Sequence, residues 1–103
     1  MPAKILFRDA QGRDGTIELR GEPVWVGRAM ECAIRTDDAM VSRKHSQLFL
    51  EGQAYVVQDL GSANGTLVNN VRLAAQSKQA LNHNDVIQCG SLYCRYIVEP
   101  TLN

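Results

Sequence analysis

The sequence predicts an all-β fold: a β-sandwich of about ten to eleven short, mostly antiparallel strands with its functional loops at one end. Apolar residues recur two positions apart and almost never at helical spacing. Turn signals interrupt them at short intervals. A chain of 103 residues, 45% hydrophobic and 21% charged, suits a single globular core.

Taken in chain order, Ile17 and Leu19, Val24 and Val26, Cys32 and Ile34, Leu48 and Leu50, Tyr55 and Val57, and then Leu92, Cys94, Tyr96 and Val98 each alternate as half-buried strands do. Between them stand Gln11-Gly12-Arg13-Asp14-Gly15, Arg20-Gly21-Glu22-Pro23, Asp37-Asp38, Glu51-Gly52, the stretch from Gly61 to Gly65, Asn69-Asn70, Asn82-His83-Asn84-Asp85 and Gly90-Ser91, all rich in turn formers. Residues 74–80, Ala-Ala-Gln-Ser-Lys-Gln-Ala, have helix propensity but no apolar stripe, so a loop or single turn is expected. One domain over residues 1–99 and a short tail over 100–103 complete the expected organisation.

Lys and Arg total 11, as do Asp and Glu, so the formal charge is zero. A domain that neutralises several phosphates along a duplex carries a basic excess, and nucleic acid is therefore not an expected partner. No apolar run approaches the ~18 residues of a membrane span, and Arg8 and Asp9 come too early for a signal peptide. A cytoplasmic, membrane-free monomer is the expectation. Cys32, Cys89 and Cys94 are odd in number and lack a close pair, which argues against a disulfide framework or zinc site and for small buried thiols. No metal or cofactor is expected.

Function then falls to the loops. Gly27-Arg28 follows the strand Val24-Trp25-Val26, so a permissive residue closes the strand and an arginine projects from its end. Ser42-Arg43-Lys44 offers a hydroxyl, a guanidinium and an ammonium within three residues, a donor-rich set suited to an anion. His45 opens the next strand, and its ring reads as a pin for the Ser42 loop. In Asp59-Leu60-Gly61-Ser62-Ala63-Asn64-Gly65-Thr66, Asn64-Gly65 is a turn pair: the glycine supplies positive φ and the asparagine tolerates it. Asn64 also presents a carboxamide able to hold a peptide backbone by two bonds. Asn69-Asn70 reads as a hairpin turn and nothing more.

In this order and spacing, Gly27-Arg28, Ser42-x-x-His45 and Asn64-Gly65, completed by Asp59 to Ser62 and Thr66, resemble the forkhead-associated (FHA) domain, a β-sandwich that recognises phosphothreonine. The resemblance covers residues from about Lys4 to Val98. It implies that Arg28, Ser42 and Arg43 bind the phosphate, with Ser42 using both hydroxyl and amide. It further implies that Asn64, with Ala63 beside it, holds the peptide backbone, and that Gly27, His45 and Gly65 shape the loops. The implied partner is a threonine-phosphorylated protein, such as a Ser/Thr kinase or its substrate, so that kinase signalling is coupled to protein assembly. Ala63 departs from the family's usual threonine or serine and brings no hydroxyl.

Elementary physics agrees: phosphothreonine carries about −1.5 to −2 charge and three acceptor oxygens, which these loops can meet. An enzyme built on Ser42, His45 and Asp59 is not expected, because the sequence lacks a Gly-x-Ser-x-Gly elbow and a glycine-rich phosphate loop opening a helix. The alternative is a phospho-independent scaffold or assembly domain with a degenerate phosphate site.

Overall fold

The computed structural model describes residues 2–99; the expected tail at 100–103 lies outside them. Eleven strands run in chain order: β1 (Ala3–Arg8), β2 (Asp14–Leu19), β3 (Val24–Gly27), β4 (Ile34–Arg35), β5 (Ser46–Glu51), β6 (Ala54–Asp59), β7 (Leu67–Val68), β8 (Val71–Arg72), β9 (Lys78–Ala80), β10 (Val86–Cys89) and β11 (Leu92–Val98). They form two sheets, ordered β2-β1-β11-β10-β7-β8 and β4-β3-β5-β6-β9. Every pairing is antiparallel except β3 with β4. Among the described residues there is no helix long and apolar enough to cross a membrane.

The core is what the alternation dictates. Ile5, Val26, Ile34, Leu48, Val57, Ile87, Leu92 and Cys94 are wholly buried between the sheets, while Tyr93 and Arg95, their alternation partners in β11, face outward. Each such aliphatic side chain contributes about 1.5–3 kcal/mol by leaving water. Phe7 joins the core through a space left by Gly15: a Cβ there would lie 2.8 Å from the Phe7 ring. All three cysteines are free and buried.

Three local expectations are corrected. Cys32 lies in a turn before β4 and not in a strand; it is nonetheless buried, with its amide donating to Ala29 O and its thiol to Arg43 O, since the turn folds back onto the Ser42-Arg43 segment. Residues 78–80, expected in a loop, form the edge strand β9, joined to β6 through the backbone with little side-chain burial. Asn69 and Asn70 do make the β7–β8 turn, both at positive φ. Asn69 adds more, donating through Nδ2 to Asp85 at 2.9 Å and accepting from Val86 N–H at 2.9 Å, so the hairpin tip is clamped to the β9–β10 connection.

Candidate functional site

The loops β3–β4, β4–β5 and β6–β7 converge at one end of the sandwich, and three features hold them together. Gly27 is the first. The Arg28 and Ala29 amides donate to Ser42 O and Arg43 O, and a Cβ on Gly27 would sit 2.2 Å from Arg43 O. Close approach of two backbones, not positive φ, is what requires glycine here.

His45 is the second. It is fully buried; its Nδ1 accepts from Ser42 N–H at 3.0 Å and its Nε2 lies 2.7 Å from Gly65 O. These partners fix the neutral tautomer with the proton on Nε2, and the ring ties the Ser42 loop to the Asn64-Gly65 loop. Burial lowers its pKa, opposed by the bond to Gly65 and by the charge of Asp59. The folded protein therefore takes up this proton less readily than the unfolded chain, and the stability is complete above the unfolded value of 6.5 and declines as pH falls through the folded one. The melting temperature of the free protein, scanned from pH 7.5 to 5, is expected to fall, and His45→Gln should flatten that slope.

Asp59 is the third. Its carboxylate accepts from the hydroxyls of Ser62 and Thr66 at 2.6 and 2.7 Å and from the amides of Gly61 and Ser62. Burial pushes its pKa up, but these donors outweigh it and hold the carboxyl below its usual range. Gly65, at φ 87°, completes the turn; Asn64 does not share the positive φ.

On this frame the sequence-predicted residues come together. Arg28 donates through Nε to Val41 O at 2.5 Å, which anchors the side chain, while its terminal nitrogens make no hydrogen bond among the described residues. The Ser42 hydroxyl accepts from Ala63 N–H at 3.2 Å, leaving its own proton to donate. Asn64 Nδ2 bridges to Met40 O at 2.7 Å, closing the cleft between the two loops. Arg43 is exposed. One expectation needs correcting: the Ser42 amide is committed to His45, so of that residue only the hydroxyl faces outward with a donor. The hypothetical triad fails too. Both nitrogens of His45 are spent on backbone groups, and neither faces the Ser42 hydroxyl.

Sequence reasoning missed three supporting residues. Arg35 donates through Nε to Arg28 O. Asp38 accepts from Met40 N–H and Ser91 N–H, fixing the segment before Ser42, and the Ser91 hydroxyl together with these two amides lowers its pKa. Arg72 lies against Gly65, where a Cβ would meet its Nε at 2.5 Å. The zero net charge also hides a local asymmetry. Of eleven Lys and Arg, six make ion pairs. Arg28, Arg43, Lys44, Arg72 and Arg95 make none among the described residues; Arg28, Arg43 and Lys44 lie on the convergent loops, the Lys44 ammonium standing over the Trp25 ring at 4.2 Å, while Arg72 and Arg95 lie on strands β8 and β11. A groove over the outer face of the first sheet, lined by Leu6, Thr16, Val86, Tyr93 and Arg95, shares no residue with the convergent loops.

A β-sandwich with an anion-ready cluster on convergent loops defines a recognition module, and known proteins agree. The FHA domain model matches residues 24–90, and the chain belongs to the FHA domain family of binding modules. It is similar to the probable E3 ubiquitin-protein ligase dma1 of Schizosaccharomyces pombe, 37% identical over 82 residues, covering 69% of this chain and 31% of that protein. It is also similar to the FHA domain-containing protein FhaA of Mycobacterium tuberculosis, 38% identical, covering 80% of this chain and 15% of the relative. The chain thus spans under a third of the length of these relatives. Among solved structures, an FHA domain from a study of phosphothreonine-dependent FHA domain interactions superposes with a TM-score of 0.83 at 31% identity, covering 98% of this chain and all of that one. The FhaA FHA domain complexed with the intracellular domain of Rv3910 gives 0.77 at 32% identity, covering 91% of this chain and 98% of that one.

Proposed function

We propose that this domain is a reversible reader of phosphothreonine in partner proteins, in which Arg28, Ser42 and Arg43 hold the phosphate and Asn64 holds the peptide backbone. The observation that carries this reading is that Arg28 and Arg43, neither in an ion pair among the described residues, stand beside Ser42 on loops braced by His45 and Asp59. Arg28 is anchored by Nε with its other nitrogens open, Ser42 has a proton to give, and Asn64 keeps its carbonyl oxygen for a peptide N–H. Each charge-assisted bond contributes roughly 1.5–3 kcal/mol, which an unphosphorylated hydroxyl forgoes. Met30 and Met40 are the large apolar side chains exposed on these loops, a limited area beyond the phosphate, so micromolar affinity, about 8 kcal/mol, is expected. Such a domain couples kinase signalling to assembly in the cytoplasm. Calorimetry with a degenerate phosphothreonine peptide library and its unphosphorylated counterpart tests it. Binding that phosphatase treatment leaves unchanged would point instead to a phospho-independent scaffold.

Ala63 sharpens the test. It is exposed, and its amide already meets the Ser42 hydroxyl. Ala63→Ser adds one donor beside both Ser42 and Asn64, and one hydrogen bond is worth about 0.5–1.5 kcal/mol. Tighter phosphopeptide binding, by roughly two- to tenfold, with the unphosphorylated peptide still undetected, is the expected result of paired titrations.

A further inference from the structure

We propose that Arg72 is a specificity-determining residue of this site, reading a carboxylate side chain of the bound peptide outside the phosphothreonine itself; the inference rests on the phosphothreonine reading above. Four observations carry it. First, Arg72 has neither an ion pair nor a side-chain hydrogen bond among the described residues, although it is exposed and six other cations of the chain have found carboxylates. Second, its guanidinium lies against Gly65, where a Cβ would come within 2.5 Å of Nε and 2.8 Å of Cζ. The Nε end of the planar fork is thus packed against the Gly65 backbone, and its terminal nitrogens have no hydrogen-bond partner among the described residues, which suits bidentate capture of a carboxylate.

Third, the backbone that carries Arg72 is fixed at both ends. Arg72 pairs with Leu67 across the hairpin, Leu73 N–H bonds to Thr66 O at 2.9 Å, and the hairpin tip is held by the Asn69 bonds to Asp85 and Val86. Fourth, its place differs from that of the phosphate-facing residues. The loop bearing Arg28 leads into β4, and Thr36 just beyond β4 bonds to Asp9 at the β1 side of the six-stranded sheet. β8 is the opposite edge of that sheet. A peptide seated with its phosphate at Arg28 and its backbone over Asn64 would reach Arg72 on the β8 side of the Asn64-Gly65 turn, where a flanking side chain is the group to be read.

The experiment walks a single Asp through the positions flanking phosphothreonine in an otherwise uncharged peptide, titrated against wild type, Arg72→Gln, Arg72→Lys and Arg28→Ala. At one position Asp should tighten wild-type binding about three- to tenfold over Ala. Arg72→Gln should erase that gain while binding the Ala peptide within about twofold of wild type, and Arg72→Lys should keep only part of it. A gain that survives in Arg72→Gln, or no gain at any position while Arg28→Ala still abolishes binding, overturns the inference and leaves the phosphothreonine reading standing. If Arg72→Gln weakens all peptides equally, its role is to support the Gly65 turn and the inference is wrong. Absence of phosphopeptide binding by wild type removes both.

Discussion

Arg28→Ala is expected to weaken binding of a phosphothreonine peptide by at least about tenfold, with the melting temperature unchanged to within a few degrees. The guanidinium is half-buried and tethered by Nε to Val41 O, so its outer nitrogens are aimed before ligand arrives and little side-chain entropy remains to be lost. Removing it deletes one or two charge-assisted bonds, each about 1.5–3 kcal/mol, against the about 1.4 kcal/mol that corresponds to tenfold. Stability changes little because the core contacts belong to Val26 and Val41 on either side, and the Arg28 amide keeps its bond to Ser42 O. Arg28→Lys should fall between wild type and alanine, since one ammonium cannot hold Val41 O and also present a fork. Calorimetric affinities alongside thermal melts check all three proteins; an unchanged affinity in the alanine variant would place the phosphate elsewhere.

What the sequence made legible follows physical lines. Strands that bury one face announce themselves by alternation, as Leu92, Cys94 and Tyr96 do in β11, and the sandwich follows from them. β9 is joined to its sheet through the backbone and an exposed Lys78–Glu51 ion pair and buries almost nothing, so Lys-Gln-Ala carries no period to read. In the loops, the residue types and their order were readable, while the allocation of hydrogen bonds was not. Nothing in Ser42-Arg43-Lys44-His45 says that the histidine ring consumes the Ser42 amide, because that depends on how the turn folds back. Arg72 was hidden for a related reason. Its nearness to Gly65 comes from the register that the Asn69-Asn70 turn imposes on β7 and β8, and a reading that stops at the turn never carries the pairing two residues further.

The same allocation makes His45 the costliest single change. His45→Ala is expected to lower the melting temperature by roughly 8–32 °C and to abolish measurable phosphopeptide binding at the same time. Two buried backbone groups lose their partner, the Ser42 N–H and the Gly65 carbonyl, each costing about 1–3 kcal/mol, and an imidazole-sized cavity is left beside them. A loss of about 2–4 kcal/mol in a domain of this size, at about 4–8 °C per kcal/mol, gives a shift of roughly 8–32 °C. Binding goes with it because the Ser42 hydroxyl and the Asn64 carboxamide sit on the two loops the ring joins, and a cleft with an unfastened wall must be ordered anew by every ligand. His45→Gln separates the contributions. A carboxamide has one acceptor and one donor end, so where it spans the same gap it restores part of the stability and part of the binding together. Thermal melts and titrations on wild type and both variants decide the point: weakened binding with an unshifted melt in His45→Ala would mean that the ring meets ligand directly, contrary to its full burial.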